Sequence, residues 1–424
     1  MINIIKKLLR NKNNQDQKYL SFKRIRENFE IDELFNSILK YSDTSEIRYV
    51  GGCVRKIINR ETVDDIDLAT NLKPDQVIEC LNNNKIKFYE TGINHGTITA
   101  VINKKKFEIT SLRKDISTDG RHAKVKYSNN WLLDSSRRDF TINAIYSDIH
   151  GNLFDPFNGK DDLKNGKVIF IGDAEKRIKE DYLRILRYIR FFLNYSKQDH
   201  EASIKKTIRQ NINGVINLSS ERLIDELKKI VLSRGFFKLN KDEFCLEIIL
   251  LIFPQLKNIG IFKYPNKFVI NNYFSKDFIF LLSLMIIDET DNCDYFLYKF
   301  NLSNEAKNTI KFLKNIFSKP ILSNTFSEKN LWKIYYFHGK KNLEDMVNFQ
   351  IFRSKKIDTK LINLLETFSA QQQPVFPVRA KKLMEKYNLK ENKNLGEKLK
   401  RIENIWVNNS FKISDKEIEE IVKN

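Results

Sequence analysis

Cysteine is scarce in this chain. Its 424 residues hold four, Cys53, Cys80, Cys245 and Cys293. They are scattered, with no C-x-x-C pair and no histidine close by in sequence. That spacing argues against a zinc site or a disulfide framework and suits a reducing, cytoplasmic compartment. Long apolar runs are missing as well. The longest, Phe278 to Ile287, is closed by Asp277 and Asp288. It falls far short of the roughly 20 residues of a membrane span and reads as a buried helix. The N-terminus, Met1-Ile-Asn-Ile-Ile-Lys-Lys7, has neither the charged-then-apolar order of a signal sequence nor a cleavage site. A soluble protein is expected.

Acidic residues are in deficit: 54 Asp and Glu against 74 Lys and Arg leave a net charge of +20. Such an excess suits a polyanionic partner, most often nucleic acid. A Lys- and Asn-rich composition would raise the charge without any ligand, so charge alone leaves both readings open. What is abundant is core material: a 41% hydrophobic fraction with 12% aromatics excludes a mainly disordered chain.

Residues 1–25 read as a basic extension. A helical pattern from Phe29 (Ile31, Leu34, Phe35, Ile38, Leu39) leads to a strand-like Ile47-Arg-Tyr-Val50. Further strands are expected at Ile66–Leu68, Lys87–Tyr89, Thr97–Ile102 and Lys106–Thr110, with a Pro-initiated helix over Pro74–Leu81. After Gly172 nearly every segment has helical period. The loop Gln371-Gln-Gln-Pro374 precedes a last basic helical segment, Arg379 to Asn409.

Four constellations carry chemistry. In Tyr49-Val-Gly-Gly-Cys-Val-Arg55 a strand ends in Gly51 and Gly52, which lets backbone N–H groups approach a phosphate, and Arg55 follows one turn later. In Asp64-Asp65-Ile66-Asp67-Leu68-Ala-Thr70, Asp65 and Asp67 point to one face of a strand. Two carboxylates so placed repel unless a cation lies between them, the arrangement that binds Mg²⁺ for phosphoryl transfer. Glu108 alternates correctly to serve as a third acid on a neighbouring strand. In Ser135-Ser-Arg-Arg-Asp-Phe-Thr-Ile-Asn-Ala-Ile145, the arginines at an expected helix start could clamp anionic oxygens. In Glu180-Asp-Tyr-Leu-Arg-Ile-Leu-Arg-Tyr-Ile-Arg190, Tyr182, Leu186, Ile189 and Leu193 form the expected buried stripe. Asp181, Arg184, Arg187 and Arg190 recur every three residues, so that Asp181 could accept and Arg184 donate to a base edge.

In this order the motifs resemble the class II tRNA nucleotidyltransferases (CCA-adding enzymes), a family that also contains bacterial poly(A) polymerases. The resemblance covers residues 47–230 well. It rests on Gly-Gly-x-Val-Arg at 51–55, Asp-x-Asp-x-Ala-Thr at 65–70 and Arg-Arg-Asp-Phe-Thr-x-Asn-Ala at 137–144. It continues in Asp-Pro-Phe-Asn-Gly at 155–159, Glu-Asp-x-x-Arg at 180–184 and Ser-x-Glu-Arg at 219–222. The resemblance implies an α+β nucleotidyltransferase (polymerase-β-like) head over residues 26–165. An elongated, all-helical neck at 166–252 and a helical body and tail at 253–424 that bind tRNA would follow.

It further implies CCA addition to tRNA 3′ ends from CTP and ATP, with two Mg²⁺ ions on Asp65 and Asp67. Gly51, Gly52 and Arg55 would hold the triphosphate, and Arg138 and Asp139 would belong to the nucleotide site. Asp181 and Arg184 would read the bases, with Arg187 and Arg190 lining the pocket. Arg379, Lys381, Lys382, Lys386, Lys398, Lys400 and Arg401 would grip tRNA, and 119–122 would lie in a flexible loop. Two departures stand out: Lys56 replaces the family's Asp after the motif arginine, and no histidine is followed by Asp, so a phosphohydrolase pair is missing. The rival readings are a poly(A) polymerase, whose Gly-Arg-Arg/Lys-Phe element is absent near Glu90–Thr97, and a non-catalytic RNA-binding protein with the same fold.

Overall fold

A computed structural model describes residues 22, 27, 31–118 and 123–423. The extension at 1–25, apart from Phe22, and the loop residues 119–122 lie outside the described residues. The chain divides into two compact units, Met1–Ile252 and Phe253–Asn424.

The first unit is built on a seven-stranded mixed sheet. Its strands are β1 (Ile47–Val50), β2 (Ile66–Thr70), β3 (Lys87–Gly92), β4 (Thr97–Ile102), β5 (Lys105–Ser111), β8 (Tyr146–Ser147) and β9 (Leu153–Phe154), while β6 (Arg113–Thr118) and β7 (Ala123–Tyr127) pair as a separate hairpin. The spatial order is β3-β4-β5-β2-β1-β8-β9, and β2 and β5 run parallel with Asp67 opposite Glu108. Alternation decides which face is covered. Ile66 and Leu68 on β2, Ile98 and Ala100 on β4 and Phe107 and Ile109 on β5 join one core cluster with Leu34, Phe35 and Tyr49. The helices Asp32–Leu39 and Pro74–Asn83 supply the buried residues that close this face.

From residue 159 the first unit is helical, through Gly159–Asn165, Ala174–Glu180, Leu183–Tyr195, Ala202–Asn211, Ser220–Val231, Phe236–Leu239 and Glu243–Ile252. The helix Leu183–Tyr195 buries Ile185, Leu186, Tyr188, Ile189, Phe191 and Leu193. Tyr182, expected in the buried stripe, is only half-buried, because the helix begins after it and it serves as the N-cap.

The second unit is helical among its described residues. Phe278–Ile286 is the buried helix the apolar run predicts, and the Asp277 side chain accepts from Phe280 N at 2.8 Å to cap it. No helix among the described residues is long and apolar enough to cross a membrane. The basic last segment is two helices, Ala380–Tyr387 and Lys393–Asn408, separated by Asn388 in the left-handed conformation. Its cations are not all available: Lys386 pairs with Asp415 at 3.2 Å, and Lys398 donates to the carbonyl of Val422 at 2.6 Å.

Candidate active site

Gly51 opens the site. It sits at φ 67° and ψ −118°, a conformation that an L side chain rarely adopts, and so turns β1 directly into the helix Gly52–Ile58. A Cβ at Gly52 would come within 3.9 Å of Asp67 Oδ2, so the bare backbone lies against the acidic strand. Asp65 immediately precedes β2 and Asp67 lies on it, and both line one cavity of about 550 Å³ with Gly51, Gly52 and Arg55. Glu108 stands opposite Asp67 in the register but is not part of the cavity lining. Burial pushes the Asp67 carboxyl up, and the neighbouring Glu108 and Asp65 charges push it further against the pull of Arg138 and Arg55. Asp65 and Asp67, two carboxylates on the cavity wall with no ion pair among the described residues, are oxygen donors of the kind a hard divalent cation takes, and they fit Mg²⁺.

The basic wall is organised differently, because nearly every arginine has a fixed partner. The expected helix start at Arg137 is in fact a helix end: Asn130 caps Trp131–Ser136, and Arg137 is its C-cap. Asp134, almost fully buried, receives Arg137 at 2.8 Å and Arg138 at 3.2 Å. Burial alone would raise Asp134, yet the two guanidiniums hold its carboxyl down at about 2. Tyr146 donates to the same carboxylate at 2.7 Å and accepts from Arg138 Nε at 2.9 Å.

Arg55 is buried and donates to Asn143 Oδ1, with its guanidinium 4.8 Å from the Phe191 ring centroid. Asn143 in turn donates to Asp139 Oδ1 at 2.9 Å, and Arg187 donates from Nε to Asp139 Oδ2 at 2.6 Å. Burial would raise Asp139, but Arg187 and Asn143 outweigh it and hold the carboxyl at about 2. One chain of hydrogen bonds thus joins Arg55, on the helix Gly52–Ile58, to Arg187 on Leu183–Tyr195. Asp139 lines the cavity, but its oxygens are committed to protein partners. It acts as a positioning residue.

Asp181 does not continue a helix with Arg184. Its backbone is extended, breaking the chain between Ala174–Glu180 and Leu183–Tyr195, and its side chain caps the second helix at Leu183 N, 3.1 Å away. The other carboxylate oxygen accepts from Arg222 at 2.7 Å. Arg184 spends Nη1 on Glu180 Oε2 and on the carbonyl of Arg177, each at 2.6 Å, while its backbone N–H donates to the Asp181 carbonyl at 3.0 Å. Tyr182, inside the break, lies over Gly214, where a Cβ would come within 2.0 Å of the ring. Arg190 pairs with buried Glu226. Asn143, Asp134, Tyr146, Arg222 and Glu226 were not singled out from the sequence. Asn143 and Arg222 do sit inside motifs that were.

Residues 47–169 match the Poly A polymerase head domain. Mouse mitochondrial CCA tRNA nucleotidyltransferase 1 is 33% identical over 387 residues, spanning 90% of this chain and 87% of the mouse protein. The chain belongs to the class II CCA tRNA nucleotidyltransferase family. The human mitochondrial enzyme is 44% identical over 211 residues, 48% of this chain and about half (49%) of the human protein's length. Among solved structures, the Bacillus stearothermophilus CCA-adding enzyme in complex with CTP shares the fold at a TM-score of 0.70 and 21% identity, over 90% of this chain and 93% of that one.

Among CCA tRNA nucleotidyltransferases the resemblance leads one to expect an Asp where this chain has Lys56. Lys56 turns away to Asp64 at 2.9 Å, and the orientation of Arg55 falls to Asn143.

Proposed function

We propose that this chain adds C, C and A to tRNA 3′ ends from CTP and ATP without a nucleic-acid template, releasing pyrophosphate. The observation that carries the reading is the single cavity in which an acidic pair, a glycine turn with Arg55 and Arg138, and the Asp181–Arg184 segment converge. Two Mg²⁺ ions on Asp65 and Asp67 would lower the charge cost of attack at the α-phosphate and of pyrophosphate departure. Arg55 and Arg138 bind phosphate oxygens.

Asp181 and Arg184 select the base. Cytosine and adenine each present an exocyclic amino donor beside a ring-nitrogen acceptor on the Watson–Crick edge. A carboxylate that accepts and a guanidinium that donates therefore suit both and mismatch uracil and guanine. Asp181 keeps unused lone pairs, and Arg184 keeps Nε and Nη2 for this purpose.

We take residues 26–165 as the catalytic head, 166–252 as the nucleotide-selecting neck and 253–424 as the tRNA-gripping part, acting in the cytoplasm. The phosphate contacts make tRNA binding weaken as salt rises. The test is incubation with tRNA ending before CCA. CTP alone should add two residues, and ATP should then add one. Long A tails without C incorporation would replace this reading with poly(A) polymerase, and tRNA binding without any incorporation would leave a non-catalytic RNA-binding protein.

A further inference from the structure

Away from the catalytic cavity, His200, Asp242 and Cys245 present one ligand atom each, all within 4.8 Å of one another. No sequence spacing marks this trio, since His200 and Cys245 are 45 residues apart. His200 lies between the helices Leu183–Tyr195 and Ala202–Asn211. Asp242 caps the helix Glu243–Ile252, its Oδ1 accepting at 2.8 Å from the N–H of Cys245 in the first turn.

We infer that His200 Nε2, an Asp242 carboxylate oxygen and Cys245 Sγ form a site for one divalent transition-metal ion of the zinc class. The distances carry the inference. His200 Nε2 is 3.0 Å from Asp242 Oδ2 and 3.5 Å from Cys245 Sγ. Tetrahedral zinc with ordinary bond lengths would set these separations at about 3.4 and about 3.6 Å, so the ligands need to spread by only a few tenths of an ångström. The charges also close: a carboxylate and a thiolate neutralise a divalent cation, and soft sulfur with imidazole favours zinc over Mg²⁺.

The surroundings fix the imidazole as metal-binding histidines are fixed. His200 Nδ1 is 2.9 Å from the Tyr188 hydroxyl, and the ring stacks on Phe192 with Phe244 edge-on at 4.8 Å. Without the ion the trio is satisfied by protons: Tyr188 donates to Nδ1, and Nε2–H donates to Asp242. Burial then pushes the Cys245 thiol far up, helped by the Asp242 charge, so it stays protonated. Ion binding sends the thiol proton to solvent and shifts the ring proton to Nδ1, which donates to Tyr188. Tyr188 sits between Arg187 and Arg190, so the ion would tie the arginine-bearing helix to Glu243–Ile252 through a side chain that touches no nucleotide.

The test is cobalt titration of chelator-stripped full-length protein, because cobalt bound to a thiolate gives a charge-transfer absorption that carboxylate-bound cobalt at Asp65 and Asp67 does not. One equivalent should produce that band, and zinc should abolish it by displacement. Cys245→Ser should remove the band while keeping the metal-free circular dichroism of the parent. Asp242→Asn should weaken cobalt affinity by at least about tenfold. Cys53→Ser, altered beside Asp67, should keep the band. Absence of the band in the unmodified protein, or a band that follows Cys53 instead of Cys245, would overturn the site.

Discussion

On the acidic wall of the cavity stand Asp65 and Asp67, with Glu108 opposite Asp67 on the neighbouring strand, and none of the three has an ion pair among the described residues. On the basic wall, Arg137 and Arg138 are locked to Asp134, Arg187 to Asp139 and Arg190 to Glu226. The two walls come from one sheet and the helices beside it, yet they resolve burial in opposite ways. On the proposed function, guanidiniums held in place beforehand would lose little ordering entropy when a nucleotide arrives. Asp65 and Asp67 are left in mutual repulsion that Arg138 and Arg55 offset only in part, which on the proposed function a bound cation would relieve. The difference between an acid that lowers its neighbour's energy and one that waits for a ligand is therefore readable from its partners.

Substitutions test this contrast directly. Asp67→Asn should lower nucleotide incorporation by about a thousandfold or more, equivalent to about 4 kcal/mol of transition-state stabilisation. Its thermal unfolding should stay level or rise, because a repelled charge has gone; a fall in unfolding temperature would show Asp67 to be a structural acid. Asp139→Ala should do the reverse. It strands Arg187 and Asn143 and should cost about 3 kcal/mol in urea unfolding. Unchanged stability would break the claim that the basic wall is locked.

A third acid sharpens the comparison from the other unit. Asp345, on the helix Glu328–Arg353, is buried with its Oδ2 unpaired, and burial together with the Asp277 charge pushes its carboxyl up to about 6 despite Lys341 and Lys276. A folded value above the ordinary 3.8 means the native state holds a proton the unfolded state has lost. Its stability contribution is complete at low pH and is lost as pH rises from about 4 through 6. Asp345→Asn should thus stabilise the protein by about 2 kcal/mol at pH 7 and by nothing at pH 4, measured by denaturant titration at both. Equal effects at the two pH values would remove the charge explanation.

How much of this was legible in the sequence varies with range. β1, β2, β4 and β5 announced themselves because β-branched alternation is local. The two-residue strands β8 and β9 did not, being too short to carry a period. The Asp-x-Asp pair and the glycine turn were visible because neighbours in sequence make them. The helix Trp131–Ser136, which ends where a start was expected, and the break at Asp181 were missed: periodicity counts apolar faces, whereas Asn130 starts that helix and Asp181 the next through side-chain bonds to backbone. The link from Arg55 through Asn143 and Asp139 to Arg187 spans more than a hundred residues. No spacing rule reaches that far.

Gly214 is where the fold makes room for Tyr182. Its φ is unexceptional, so what matters is the empty volume that lets the Tyr182 ring settle. Any side chain there would lift Tyr182 and, with it, the extended Asp181 before it, whose carboxylate bonds Leu183 N and Arg222. The chemistry at Asp65 and Asp67 would continue at the other end of the cavity. On the proposed function, a residue outside the cavity lining would thus bear on which base is accepted, through the position of Tyr182.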